Sequence, residues 1–456
     1  MEINPRIFRE YDIRGIVGQD LDEKTVGVLG RAFGTYFVGR GKTDVALGRD
    51  CRLSSPAFAR ALTEGLLSAG CDVTDIGVVP TPLLYYSVYA KKKEAAVMIT
   101  GSHNPPEHNG FKVMAGEDTL YGRDIQDILD IVRRGRFARG SGTGRTGDIA
   151  ADYLDDVARR VRLSRRLRVV VDAGNGTGGR VAVPLFEKMG CDVIPLYCEM
   201  DGRFPNHHPD PTLPEAMADL MRNVLETQAD LGLGYDGDAD RLGVVDDQGG
   251  LIWGDRLMVV FARDILPSRP GAAVISEVKA SQVLYDEISR LGGRPIMWKT
   301  GHSLIKKKIR EEQAVLAGEM SGHIFFADRW FGFDDAIYAS ARLLEILSRS
   351  GKPMSAMLSD LPATFSTPEI RIYASDEVKF GIVEEVRKAL SARHEVIDID
   401  GVRAVFPGGW GLVRASNTQA VIVLRFEAET ERALADIQEE VRGVLKQAIT
   451  KLGQPS

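Results

Sequence analysis

Short apolar runs, each followed by a polar loop and an amphipathic stretch, recur three times along the chain. The first copy runs from Val45-Ala46-Leu47-Gly48-Arg49-Asp50 to Ser68-Ala69-Gly70-Cys71-Asp72-Val73. The second runs from Val169-Val170-Val171-Asp172-Ala173-Gly174 to Lys188-Met189-Gly190-Cys191-Asp192-Val193, and the third from Ala273-Val274-Ile275-Ser276-Glu277 to Arg290-Leu291-Gly292-Gly293-Arg294-Pro295. A continuous apolar run reads as a buried strand, the amphipathic stretch as a helix, and the glycine as its stop, so each copy is a βαβ unit. In the first copy Ser55 is expected to cap, and Pro56 to start, a helix whose Phe58, Leu62 and Leu66 share one face.

The copies lie about 100 to 120 residues apart, which argues for three related α/β domains. Beyond about residue 363 the pattern changes. Glu369 to Tyr373 alternates, a helix is predicted over 376–391, and three extended runs follow at His394–Ile399, Gly401–Phe406 and Gln419–Phe426 before a last helix over 430–451. Strands joined without intervening helices favour a small antiparallel α+β domain. The expected organisation is 1–148, 149–250 and 251–363 as α/β domains with mixed sheets, and 364–456 as the α+β domain. Length alone suggests about three domains, so the pattern raises the count by one.

Composition bounds the function. With 58 Lys+Arg against 64 Asp+Glu the net charge is −6, which argues against a basic nucleic-acid binder. Cys51, Cys71, Cys191 and Cys198 form no Cys-x-x-Cys pair, which suits a reducing cytoplasm. No segment approaches the roughly 18 uninterrupted apolar residues of a membrane span, and the opening Met1 to Arg6 has no apolar core of signal-peptide length.

Four polar loops carry candidate chemistry. Thr100 to Lys112 follows the apolar run Ala95–Ile99 and places Ser102 at a strand end, where open α/β sheets hold their ligands. A hydroxyl presented beside His103 and Lys112 suits nucleophilic chemistry; a proline-rich turn with a capping serine is the plain alternative. Asn104 stands where a Gly-x-Ser-x-Gly elbow needs its second glycine, against an α/β-hydrolase. Asp236, Asp238 and Asp240 alternate after Leu231-Gly232-Leu233, and three converging carboxylates need a neutralising cation, for which Mg²⁺ is the natural candidate. A calcium loop fails because its sixth position is Arg241 and its twelfth Asp247.

Gly318-Glu319-Met320-Ser321-Gly322-His323 offers Glu319 and Ser321 to sugar hydroxyls, a plain turn being as good a reading. Nearby His302 is a candidate general acid or base. Gly408 to Thr418 reads either as a binding loop, in which Arg414 can grip a phosphate and Ser416, Asn417 and Thr418 can complete an anion nest, or as a hairpin with a polar tip. Each loop follows a strand in a different domain, so the four can meet in one central cleft.

These motifs, with the opening Phe8-Arg9-Glu10-Tyr11-Asp12-Ile13-Arg14-Gly15, occur in one order along essentially the whole chain. The sequence resembles the α-D-phosphohexomutase superfamily, and within it the bacterial-type phosphomannomutase/phosphoglucomutase group. The resemblance implies that Ser102 is phosphorylated in the active form, that Asp236, Asp238, Asp240 and the phosphoserine hold Mg²⁺, and that Glu319 and Ser321 contact the sugar. It also implies a distal phosphate grip by Arg414, Ser416, Asn417 and Thr418, and a cleft lined by Tyr11, Arg14, His103, Lys112, Arg241, Lys279, His302 and His323. The implied activity interconverts hexose 1- and 6-phosphates of mannose or glucose, with glucose 1,6-bisphosphate or its counterpart as activator and intermediate. A phosphoglucosamine mutase of the same mechanism and a sugar-phosphate phosphatase are the alternatives, and a non-catalytic sugar-phosphate binder would have no need of both a serine and a metal loop. The expected setting is cytoplasmic, with small hexose phosphates as the only partners, no nucleic acid, no membrane and a monomeric chain. Ala239 stands where the family often has glycine, an exchange expected to cost little if the methyl points away from the ion.

Overall fold

The computed structural model describes residues 3–452; the first two residues of the expected first domain and the last four of the fourth lie outside it. Four sheets organise the chain, of seven, five, four and six strands in sequence order.

The first three sheets share one plan. In the first, Asp44–Arg49 lies between parallel neighbours Asp72–Val78 and Ala95–Ile99, and Ala95–Ile99 then pairs antiparallel with His108–Ala115. In the second, Arg168–Asp172 lies between Asp192–Leu196 and Leu231–Tyr235, which pairs antiparallel with Leu242–Asp246. In the third, Ala273–Glu277 lies between Arg294–Trp298 and Leu316–Gly318, which pairs antiparallel with Ile324–Phe326. The central strands are buried on both faces, which is why they read as unbroken apolar runs. Small differences from expectation remain at the edges. Leu251–Ile252, just past the expected boundary at 250, pairs with Leu242–Asp246 in the second sheet.

The helix Ser55–Ser68 buries Phe58, Leu62 and Leu66 as its spacing predicts, but Ser55 is its first helical residue and does not cap it. Its hydroxyl instead donates to Asp50 Oδ1 at 2.6 Å, a bond that ties the helix start to the loop after the central strand. In the fourth sheet the glycine-rich stretch read as a loop is a strand, Gly409–Ala415, between Val402–Phe406 and Val421–Ala428. Only Ser416 to Ala420 forms the turn. Gly411 fits closely there, since a Cβ would lie 3.0 Å from the Phe426 ring. Helices Lys379–Ser391 and Glu431–Lys451 supply Ile382, Val386, Leu390, Ile437 and Val441 to the core of this domain.

The fourth domain is fixed to the third by two buried arginines. Arg403 donates to the Val278 and Ala280 carbonyls at 2.7 and 2.8 Å, and Arg425 reaches Lys279 O and Asp255. Trp410 and Leu412 pack with Val278 beside them. The first three domains share one continuous core, joined by an aromatic cluster of Tyr86, Tyr153, Trp330 and Tyr338, with Trp330 and Tyr338 stacked at 4.3 Å. Among the described residues no helix is long and apolar enough to cross a membrane.

Candidate functional site

The shared sheet plan decides where the chemistry sits. Residues 100–107, 236–241 and 319–323 are one loop repeated three times, the turn between the third parallel strand and its antiparallel partner. Each turn therefore leaves the carboxyl end of a buried strand, where backbone groups are free to face a ligand.

In the first loop Ser102 is 2% exposed and sits in the left-handed region with φ +48°. That conformation is costly for a residue bearing a Cβ, so it must be held by its surroundings. Arg52 does this. Its buried guanidinium is anchored on Asp50 at 3.1 Å and donates to four carbonyls of the loop, Ser102 (2.8 Å), Asn104 (2.6 Å), Pro105 (2.5 Å) and His108 (3.0 Å). Gly101 is required by this arrangement, since a Cβ would lie 2.4 Å from Arg52 Nε. Sequence reasoning missed Arg52, because the loop carbonyls it serves lie 50 to 56 residues away and nothing local marks it.

Ser102 Oγ donates to Asp236 Oδ2 at 2.6 Å and lies 3.2 Å from His103 Nδ1. Burial, reinforced by Arg241 and Arg14, holds the His103 imidazole well below the ordinary histidine range, so it is neutral. Arg14 joins the loop through Asn104 Oδ1 at 3.3 Å and is itself held by Asp12 at 2.6 Å.

The second loop crosses directly beneath the serine. Gly237 has to be glycine, because a Cβ there would lie 2.6 Å from the Ser102 carbonyl oxygen. Asp236, Asp238 and Asp240 are fully buried and turn one carboxylate oxygen each toward a common point, within 4.8 Å of one another. Lys112 Nζ donates to Asp238 Oδ2 at 2.7 Å and to Asp240 Oδ2. Thr81 adds a 2.5 Å bond to Asp238. Despite burial, Lys112 and Thr81 hold Asp238 below the usual carboxylate range, whereas burial and the repulsion of its two neighbours push Asp236 well above it. Among the described residues Asp238 Oδ1 and Asp240 Oδ1 have no hydrogen-bond partner. Buried carboxylate oxygens left unpaired are expensive, and a hard divalent cation is the chemistry that satisfies oxygens of this kind. The three carboxylates therefore fit a metal ion. Ala239 departs from the expectation: its methyl is buried and its backbone is left-handed at φ +54°, so glycine is favoured there for backbone freedom and not for space near an ion.

The third loop brings His323 to the same place. Arg241 Nε lies 3.1 Å from His323 Nε2, and Asp210 lies 3.8 Å from the Arg241 guanidinium. His323 Nδ1 lies 3.2 Å from Asp334, and the His302 ring stacks on His323 with centroids 5.7 Å apart. Asp334 and its partner Lys306, both buried, were not foreseen. Ser102, His103, Lys112, the three aspartates, Arg241, His302 and His323 thus form one cluster.

A second cluster joins the third and fourth domains to the first. Glu319 Oε1 accepts from the Gly301 N–H at 2.6 Å, and Ser321 Oγ donates to its other oxygen at 3.2 Å. Lys279 bridges Glu369 at 3.1 Å and Glu277 at 3.5 Å, and Glu277 also accepts from Thr300 and the Met320 N–H. Arg414 donates to Asp400 at 3.0 Å, and the same oxygen accepts from the Thr300 N–H. Ser416 Oγ accepts from the Gln419 N–H at 3.2 Å, and Thr418 stands beside it at 3.5 Å. Asn417 donates to Tyr11 OH at 2.9 Å, which donates to the Thr300 carbonyl. Tyr11 also meets the His302 ring edge-on at 6.4 Å and so links the two clusters.

Family profiles described as "Phosphoglucomutase/phosphomannomutase, alpha/beta/alpha domain I", "domain II" and "domain III" match residues 5–139, 151–250 and 253–365, and the "C-terminal domain" of the same family matches 369–444. The chain is 49% identical over 450 residues to the phosphomannomutase/phosphoglucomutase of Pseudomonas aeruginosa, covering 98% of this chain and 97% of that one. It is 46% identical over 445 residues to the phosphoglucomutase of Neisseria gonorrhoeae, covering 96% of each. A crystal structure of a phosphoglucomutase/phosphomannomutase family protein from Burkholderia thailandensis superimposes with a TM-score of 0.94 at 44% identity, covering 100% of this chain and 99% of that one.

Proposed function

The chain belongs to the phosphoglucomutase/phosphomannomutase family and is a hexose phosphate mutase, an isomerase; from that premise we propose that Ser102, phosphorylated in the active form, passes its phosphoryl group to a hexose monophosphate. The observation that carries this reading is the Ser102 hydroxyl at 2.6 Å from one of three converging buried carboxylates.

The step breaks the bond between Ser102 Oγ and phosphorus and forms one between phosphorus and the free hydroxyl of the sugar. The hydroxyl's proton balances the oxygen left on Ser102, and the product is a hexose 1,6-bisphosphate. Turned end for end, the bisphosphate returns its other phosphoryl group to Ser102 and leaves as the isomer. Phosphoryl transfer depends on positioning and charge stabilisation more than on covalent chemistry. Arg241 and Lys112 supply positive charge beside Ser102, and the neutral His103 imidazole, 3.2 Å from Oγ, can hold the proton of the freed serine. Asp236, Asp238 and Asp240, with the phosphorylated serine, would hold Mg²⁺, which when bound supplies the charge that offsets carboxylates and phosphoryl group together.

At the far end Arg414, Ser416, Asn417 and Thr418 grip the phosphate that does not react, while Glu319 and Ser321, with Tyr11 and Lys279, receive the sugar and Arg14 lines the cleft beside the serine loop. A hydroxyl, an amide and a second hydroxyl on a short turn can adapt to a phosphate on either end of the ring. Mannose and glucose phosphates are the substrates proposed, acting on a monomer in the cytoplasm; the four free cysteines suit that reducing setting. Burial of Ser102 and the three aspartates supports transfer to sugar over transfer to water, because water is kept from the reacting atoms.

The test is direct. With Mg²⁺ and a trace of glucose 1,6-bisphosphate, the purified protein should interconvert the 1- and 6-phosphates of mannose and glucose without releasing inorganic phosphate. Stoichiometric phosphate release would instead identify a phosphatase, and turnover of glucosamine 6-phosphate alone a phosphoglucosamine mutase.

A further inference from the structure

His302 lies on the first turn of the helix His302–Glu312, and Lys306 one turn later points the same way. Lys306 is 1% exposed, and its ammonium has three partners: Asp334 Oδ1 at 3.0 Å, the face of the Tyr85 ring at 4.0 Å, and His302 Nδ1 at 3.2 Å. Burial lowers the Lys306 pKa from the ordinary lysine range, but the Asp334 carboxylate at 3.0 Å and the Tyr85 face at 4.0 Å both favour the charged form, so Lys306 is read as the ammonium. An ammonium has three donors and no acceptor. Lys306 can therefore meet His302 Nδ1 only if that nitrogen presents its lone pair.

The consequence falls on the other nitrogen. An imidazole whose Nδ1 accepts and which is neutral must carry its proton on Nε2. Neutrality has two physical sources here, burial and the facing Lys306 charge, which together hold His302 well below the ordinary histidine range. Asp334 does not reverse the assignment: its second oxygen is 3.7 Å from His302 Nδ1, beyond hydrogen-bond reach, and 3.2 Å from His323. Among the described residues His302 Nε2 makes no hydrogen bond, yet it is not one of the buried unpartnered atoms, so it is the part of the ring that solvent reaches. With His323 stacked on one side and the Tyr11 edge on another, the ring has little freedom to turn over.

We propose that Lys306 is a positioning residue that locks His302 as the neutral Nε2–H tautomer, so that His302 offers the phosphosugar a hydrogen-bond donor and is not the base of the reaction. The proposal rests on the mutase reading for its substrate, but the tautomer is a property of the protein alone. It narrows the role open to His302 from acid or base to donor, and it gives the buried Lys306 a task beyond its pairing with Asp334.

Long-range ¹H–¹⁵N correlation spectra of protein labelled in its histidines distinguish the two tautomers, with His302 assigned from its absence in His302→Asn. The wild type is expected to show His302 protonated on Nε2 alone. In Lys306→Met this pattern should give way to exchange between tautomers, and kcat should fall about 10- to 100-fold with KM changed far less, the usual consequence of loosening a group that orients another. Lys306→Arg, which keeps a donor facing Nδ1, should recover the wild-type pattern. A wild-type His302 that is protonated on Nδ1, or is doubly protonated at neutral pH, overturns the proposal even if Lys306→Met does not fold. So does a folded Lys306→Met that keeps both tautomer and kcat. Failure of the mutase reading itself would appear separately, as absent isomerisation in a wild type whose spectrum is as expected.

Discussion

Lys112 stands between Asp238 and Asp240, bonded to both and 2.7 Å from the first, so that one ammonium occupies the middle of a fully buried acidic loop. The pair of carboxylates it neutralises comes from the second domain while the lysine comes from the first, on the strand His108–Ala115 that leaves the serine loop. The serine loop and the metal loop are thus joined by charge as well as by the Ser102 hydroxyl.

Removing that ammonium should be felt in stability and activity together. Lys112→Met leaves buried carboxylates uncompensated, which costs about 3–5 kcal/mol where one partner of a buried pair is lost. Thermal unfolding in EDTA should show the variant strongly destabilised, and Mg²⁺ should restore more stability to it than to the wild type, because the ion then takes over the neutralising role. Equal Mg²⁺ shifts in the two proteins would separate Lys112 from the metal loop.

The metal loop makes its own prediction. An ion bound only by the folded state stabilises it by about 2.7 kcal/mol at a concentration 100 times its dissociation constant. Mg²⁺ should raise the melting temperature of the wild type and leave Asp238→Asn nearly unmoved, since that substitution replaces the unpaired Oδ1 side of a carboxylate that Thr81 and Lys112 hold ionised. Isothermal titration of both proteins gives the same comparison without heating.

Arg52 should behave as the keystone of the serine loop. Each hydrogen bond to a charged group is worth about 1.5–3 kcal/mol, and Arg52 makes four to loop carbonyls. Arg52→Lys cannot reproduce a planar fork serving four acceptors, so kcat should fall at least 100-fold in Arg52→Lys as in Arg52→Ala, an amount equal to about 2.7 kcal/mol. Full activity of the lysine variant would show that charge alone suffices there.

Asp335 gives a pH dependence of known sign. It accepts from Tyr153, Trp330 Nε1 and the Tyr338 N–H at the junction of the second and third domains, and burial pushes its carboxyl up to about 7. The folded state then binds a proton more tightly than the unfolded chain does. Its contribution is full below the unfolded value near 4 and is lost as pH rises to about 7. The stability of the wild type relative to Asp335→Asn should therefore narrow over that window, by about 1.4 kcal/mol per pH unit at most. A difference independent of pH in denaturant titrations would refute the shifted carboxyl.

Much of this could be read along the chain because chemistry-bearing loops sit after buried strands, and both leave local marks. Asp236, Asp238 and Asp240 announce a cation by alternation, and Ser102 by its glycine and proline neighbours. The repetition of the three loops as one hairpin could not be read, since Leu242–Asp246 and Ile324–Phe326 are short apolar runs with no helix between each and the strand before it. Nor could Arg52, Lys306 and Asp334, whose roles depend on partners that only the fold brings close. Gly409 and Gly411 misled in the other direction: they mark a strand under pressure from Glu427 and Phe426, not a phosphate loop.

The central claim, that Ser102 carries the phosphoryl group, is tested most directly by mass spectrometry of the protein after incubation with glucose 1,6-bisphosphate and Mg²⁺. One phosphoryl group is expected on the peptide that contains Ser102, lost when excess mannose 6-phosphate or glucose 6-phosphate is added, and absent from an inactive Ser102→Ala. A wild type that isomerises hexose phosphates with Ser102 unmodified throughout, or a Ser102→Ala variant with full turnover, would contradict the account.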